Sequence, residues 1–125
     1  CDRSEMKNDN ETTVSDLKEA VGTFIDARNW SQFHSPKNLA MSIAIEAAEI
    51  MEHFQWTTVE EAKTSMDDPE VRAEVEEEIA DVLIYCLSFA RQTGIDVSGA
   101  ILGKLEKNEG RFPADRIKGF GVEER

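Results

Sequence analysis

The sequence is poor in positive charge. Its 125 residues hold 14 Lys and Arg against 26 Asp and Glu, a formal net charge of −12. No basic patch is available to meet phosphates, which excludes nucleic-acid polymers and anionic membrane surfaces as partners. Cysteine is scarce as well. Cys1 and Cys86 make no disulfide framework, so a reducing, cytoplasmic setting is expected, with Cys86 a small core residue. No apolar run approaches the roughly 20 residues of a transmembrane helix, and no secretory leader is visible. There is no β pattern of any length and no low-complexity tract. A glycine-rich phosphate loop, a Cys–His cluster and a serine-nucleophile elbow are also missing.

What is present is a pair of acidic helical stretches, Leu39–Phe54 and Glu74–Arg91. In the first, only Ser42, Glu46, Glu49 and His53 interrupt an apolar surface, at steps of three or four. In the second, Glu74, Glu78, Asp81, Tyr85 and Ser88 form the same kind of narrow polar stripe. Helices apolar nearly all round are expected to be buried, yet each of these carries paired carboxylates.

Carboxylates at i and i+3 lie roughly 5–6 Å apart on a helix surface. At an effective dielectric of about 20, such a pair repels by about 3 kcal/mol, and desolvation adds several kcal/mol per ion. A lone E-x-x-E is most often a solvated face. Two of them set among Ile, Leu, Val and Ala, with spacing that permits an antiparallel hairpin, point elsewhere. A hard divalent cation relieves the repulsion and takes oxygen ligands of this kind. Glu46-x-x-Glu49 with Glu78-x-x-Asp81 therefore reads as a Mg²⁺ or Mn²⁺ site between two helices.

Around this pair the chain reads as one all-α domain of four main helices. Residues 1–12 are expected to be a disordered tail, with 1–5 a possible remnant upstream of Met6. The domain runs from 13 to 113. Thr13 to Asp16 offer hydroxyl caps and an acidic first turn for a first helix through Leu17, Val21, Phe24 and Arg28. Asn29–Ser35 is a loop rich in aromatic residues, with Phe33 placed in the core. Ser35-Pro36 opens a second helix reaching about Trp56. Thr57 or Thr58 caps a short acidic segment, Val59–Met66. Asp68-Pro69 opens a third main helix ending before Gly94, and Asp96 begins a fourth that Pro113 stops. Residues 114–125 are expected to be a loose C-terminal tail.

These residues resemble the MazG-like all-α nucleoside triphosphate pyrophosphatases. The resemblance covers about residues 15–113. It is carried by the Glu46-x-x-Glu49 and Glu77-Glu78-x-x-Asp81 motifs and by Arg28 through Leu39. Phe54-Gln55-Trp56, Asp81 through Tyr85, and Lys104 through Pro113 extend it, and the match is to the dCTP pyrophosphatase branch. It implies a four-helix bundle that hydrolyses nucleoside triphosphates, above all dCTP, to monophosphate and pyrophosphate. It implies Glu46, Glu49, Glu78 and Asp81 as catalytic Mg²⁺ ligands, with Lys104, Asn108 and Arg111 clamping the triphosphate and Tyr85 near the sugar. Trp30, His34 and Trp56 are implied as the base pocket. One departure bears on base preference: Val21 stands where animal members carry a pocket histidine.

The two central helices are apolar on more faces than one small chain can cover. By that argument and by the resemblance, a homo-oligomer is expected, a tetramer built as a dimer of dimers ahead of a dimer. Two rivals remain. A di-iron bundle wants Glu-x-x-His on two helices, and Glu46-x-x-Glu49 has no such histidine. A non-enzymatic interaction module would use its acidic stripes against a basic partner, and would be indifferent to Mg²⁺ in a melting experiment.

Overall fold

The fold is that of a computed structural model, which describes residues 7–117. The expected remnant at 1–5 and the last part of the expected tail, 118–125, lie outside the described residues. Among the described residues every regular element is helical: α1 (Val14–Ala27), a 3-10 turn (Trp30–Phe33), α2 (Pro36–Glu52), α3 (Val59–Ser65), α4 (Pro69–Thr93), α5 (Val97–Arg111) and a single turn, α6 (Ala114–Ile117). The all-α expectation holds, and α6 occupies part of the segment expected to be loose.

Local chemistry sets most of these boundaries. Thr13 and Asp16 close a reciprocal capping box on α1, each backbone N–H donating to the other's side chain at 3.0 Å. Thr58 and Glu61 do the same for α3, at 2.9 and 3.1 Å. Ser35 accepts from the Asn38 N–H ahead of Pro36, and Asp68 from the Glu70 N–H ahead of Pro69. Pro is placed where its missing N–H costs nothing. α4 ends at Gly94, whose φ of 73° lies in the left-handed region that a Cβ disfavours.

α2 ends four residues sooner than expected. After Glu52 the N–H groups of His53 and Phe54 reach back only three residues, to Ile50 and Met51. The Thr57 hydroxyl then donates to the Phe54 carbonyl at 2.9 Å. That side-chain bond closes the tight turns and competes with continuation of the α-helix.

The described residues form two compact units that part between Gly94 and Ile95. In the first, α4 is central, with α2 packed along it and α1 against its C-terminal part. The buried apolar side chains are Ile25, Leu39, Val75 and Ala90, one or two from each of these helices. In the second unit, α5 is capped by Asp96, which accepts from the Gly99 N–H at 2.8 Å, and has no buried residue.

The expectation that α2 and α4 are buried helices is not met in the single chain. Met41, Ile45 and Met51 on α2 are exposed, Ile45 by 60% and Met51 by 62%, as are Ile79, Leu83 and Ile84 on α4. Each helix meets the other through one face, so a helix apolar on two faces leaves the second in water. Phe33 also lies outside the core, at 62% exposure, on a 3-10 turn that has no buried residue. No helix among the described residues is long and apolar enough to cross a membrane.

Among the described residues, Leu39 is the most fully enclosed large apolar side chain, at 1% exposure. Leu39→Ala should lower unfolding free energy by about 2–5 kcal/mol, read from the midpoint of a denaturant titration.

Candidate active site

The four carboxylates sit on facing helices, Glu46 and Glu49 on α2, Glu78 and Asp81 on α4. Three cross-contacts fix the register. His34, just before α2, approaches Ser88 and Tyr85. Glu46 feels the charges of Asp81 and Glu78. His53, just after α2, meets Glu78 and Glu74. As numbers rise along α2 they fall along α4, so the pair is antiparallel and all four carboxylates share one seam.

The seam is electrostatically strained. The Glu46 carboxyl is held above the usual carboxylate range, first by desolvation and then by a hydrogen bond shared with Glu49 and by the negative charges of Glu49, Asp81 and Glu78. Glu46, Glu49 and Glu78 are half-buried and Asp81 is exposed. Glu78 Oε2 is shut off from solvent and lies 2.6 Å from His53 Nε2, yet it accepts no hydrogen bond.

These residues suit a hard divalent cation. The donors are all carboxylate oxygens, they repel one another, and one buried oxygen is left without a donor. Among the described residues no three His, Cys, Asp or Glu side chains already stand as a finished metal site. The groups face one another across the seam without being drawn together.

The aromatic turn is built locally. Asn29 adopts the left-handed conformation at φ 56°, which Asn tolerates better than most residues, and this starts the 3-10 turn. Trp30 packs edge-on against Phe24 at 5.7 Å, and the Arg28 guanidinium lies 3.7 Å above the Phe24 ring. Asn38 donates to the Phe33 carbonyl at 3.1 Å and ties the turn to α2. An open hollow of about 600 Å³ lies beside it, lined by Asp26, Asn29, Ser31 and Gln32.

Of the expected pocket residues, Trp30 and His34 share this turn, and the His34 ring lies 6.3 Å from that of Tyr85. Trp56 is elsewhere. It is 88% exposed and follows the far end of α2, a helix of 17 residues or roughly 25 Å. Lys104, Asn108 and Arg111 follow one another at steps of four and three on α5, in the second unit. Lys104 and Arg111 are exposed, Asn108 is half-buried, and Arg111 lies 5.2 Å from the Phe112 ring.

An all-α chain with two carboxylate pairs facing across an antiparallel helix seam defines a class of acidic helical-hairpin proteins. Comparison with known proteins narrows this. The MazG-like family matches residues 41–124, and the chain belongs to that family. It is 38% identical over 104 residues to human dCTP pyrophosphatase 1, covering 83% of this chain and 61% of the human protein. Against the Bos taurus dCTP pyrophosphatase 1 it is 35% identical over 109 residues, 87% of this chain and 64% of the relative. The chain therefore spans less than two thirds of these curated relatives. The crystal structure of a pyrophosphatase from Archaeoglobus fulgidus superposes with a TM-score of 0.76 at 40% identity, over 86% of this chain and 99% of that one. The MazG-like pyrophosphatase fold is thereby established for the chain.

His53, Ser88, Asp26, Ser31 and Arg91 were not among the residues expected to shape the site. His53 and Ser88 had a signal, since each continues the polar stripe of its helix. Arg91 and Asp26 had none, being partners across 65 residues of sequence.

Without a cation, the folded chain holds the Glu46 proton more tightly than the unfolded chain does. Stability from that proton is complete below the unfolded carboxylate pKa and is lost as pH rises through the higher folded value. Glu46→Gln, which cannot ionise, should melt above the parent at about pH 7 and match it below about pH 4. Thermal melts in chelator across this range measure the crossover.

Proposed function

We propose that the chain is a Mg²⁺-dependent nucleoside triphosphate pyrophosphohydrolase, with Mn²⁺ able to replace Mg²⁺, that converts dCTP to dCMP and pyrophosphate. The observation that carries this reading is the facing of Glu46 and Glu49 on α2 with Glu78 and Asp81 on α4 across one antiparallel seam. Support comes also from the similarity to proteins named dCTP pyrophosphatase 1 and to a solved pyrophosphatase.

Glu46, Glu49, Glu78 and Asp81 would hold the ions. When bound, Mg²⁺ polarises the α-phosphoryl group, offsets charge on the leaving pyrophosphate and lowers the pKa of the attacking water. A carboxylate of the cluster takes the proton of that water as its oxygen bonds to the α-phosphorus. The bond from the α-phosphorus to the bridging oxygen breaks, and its electron pair leaves with pyrophosphate. Lys104, Asn108 and Arg111 bind the triphosphate tail, Arg111 as a planar fork suited to phosphate oxygens. Tyr85 lies by the sugar. Trp30 and His34 provide faces and edges for the base, where stacking contributes about 1–3 kcal/mol per aromatic contact and does not choose among bases; Trp56, at the far end of α2, does not join them within one chain. Discrimination comes from polar edges, since a buried group left unpaired costs roughly 1–3 kcal/mol.

Replacing Glu46, Glu49, Glu78 or Asp81 singly by its amide should cut pyrophosphate release from dCTP about a hundredfold or more, with the helical circular dichroism kept. In heavy-oxygen water the label should enter dCMP. Label found only in pyrophosphate would refute attack at the α-phosphorus. A panel ranking dCTP below every purine triphosphate would refute the base assignment alone.

The open apolar faces of α2 and α4 support a homo-oligomer, a tetramer arranged as a dimer of dimers, with second copies covering Ile45, Met51 and Leu83. Light scattering at micromolar concentration should give four times the chain mass. A stable monomer would refute the assembly.

A further inference from the structure

Arg91 continues α4 beyond Ser88, and nothing in the proposed chemistry uses it. Its Nη2 donates to Asp26 Oδ2 at 2.6 Å and its Nη1 to Oδ1 at 3.4 Å. The same Oδ1 accepts from the Ser31 hydroxyl at 3.0 Å. One carboxylate on α1 thus joins α4 to the 3-10 turn that carries Trp30. Arg91 first and Ser31 second hold the Asp26 carboxyl below the usual range, as their donated bonds require.

The guanidinium reaches Asp26 by crossing α1 directly over Gly22. A Cβ at that position would stand 2.7 Å from Arg91 Cζ, so the flexible guanidinium would have to move off it. Gly22 is buried, and the clearance it leaves is occupied by Arg91. At the other end of the turn, His34 Nδ1 lies 3.4 Å from the buried Ser88 hydroxyl. Ser88 and Arg91 are three residues apart on α4, so one helix holds the turn at both ends. Asp26 and Ser31 are also two of the four residues lining the hollow beside it.

We propose that Arg91 is a positioning residue for base recognition: lying over Gly22 and bound to Asp26, it fixes through Ser31 the turn bearing Trp30 in register with the carboxylates of the same helix. This rests on the reading of that turn as part of the base site of a triphosphate hydrolase. The clamp acts on KM and on base preference and leaves the phosphate chemistry alone. Because the Arg91–Asp26 pair is partly open to solvent, its effect is modest, roughly threefold to fivefold.

The test compares Arg91→Gln, Arg91→Lys and Gly22→Ala in the full chain. Arg91→Gln and Gly22→Ala should raise KM for dCTP roughly threefold to fivefold and lower its preference over the other triphosphates similarly. The kcat and the Mn²⁺ affinity, measured by titration of the metal alone, should stay within about twofold. Arg91→Lys should recover part of the loss, since it keeps the charge without the fork. Gly22→Ala separates positioning from stability: alanine favours the helix while displacing the guanidinium, so KM should rise although melting temperature does not fall. A second readout needs no turnover. With Trp56→Phe, Trp30 is the one tryptophan left of the two, and its fluorescence quenching by acrylamide should increase when Arg91→Gln or Gly22→Ala is added. A fall in kcat at unchanged KM, or a fall in melting temperature with base preference and quenching unchanged, would overturn the proposal. If the parent chain hydrolyses no nucleoside triphosphate, the functional reading fails, and the quenching result still decides whether the clamp holds the turn.

Discussion

Repulsion among four carboxylates across the α2–α4 seam is the constraint on which the rest of the structure turns. Glu46 and Glu49 are close because helical spacing makes them so, and Glu78 and Asp81 likewise. Antiparallel packing then brings the two pairs together, and desolvation with the neighbouring negative charges raises the Glu46 carboxyl above the usual carboxylate range. A chain selected for stability alone would place apolar residues here, since the flanking positions are already Ile, Leu, Val and Ala. Strain of this kind at an otherwise apolar seam is a frequent mark of a working site. In the proposed reading it is relieved by the divalent cation that these carboxylates would hold.

The second consequence concerns α4, which acts as a common rule for the site. From Glu78 to Arg91 one side of this helix meets His53, the α2 carboxylates, the aromatic turn and α1 in succession. Its 25 residues are capped by Asp68 at one end and by Gly94 at the other. Any ligand lying along the seam would be measured against a single rigid element, and a shift of the turn relative to that element would change which base fits. In the proposed reading, a surface ion pair such as Arg91–Asp26 thereby matters more for selectivity than for stability.

Solvent exposure is the third. A core built on Ile25, Leu39, Val75 and Ala90 is small, while Ile45, Met51 and Leu83 stand open. The single chain satisfies the seam and leaves the outer faces of the same helices in water. An α5 with no buried residue, in a unit of its own, belongs to the same picture. Buried apolar area is what stabilises a domain of this size, and in the proposed assembly second copies of the chain supply the missing cover.

Helix type, order and most boundaries were legible from residues alone, because caps are local. Thr13 with Asp16, Ser35-Pro36, Asp68-Pro69, Gly94 and Asp96 each act within four residues of themselves, and each is found at the boundary it signals. The acidic stripes were legible for the same reason, since the 3.6-residue period is a property of the single helix. What periodicity cannot contain is a partner. That His53 meets Glu78, that Trp56 lies at the opposite end of α2 from Trp30, and that Arg91 finds Asp26 across 65 residues all follow from which faces pack and in which direction. Burial misled for a related reason: an apolar face signals that something covers it, not whether the cover is the same chain. Spacing along one helix determined the chemistry available, and packing between helices decided where it meets.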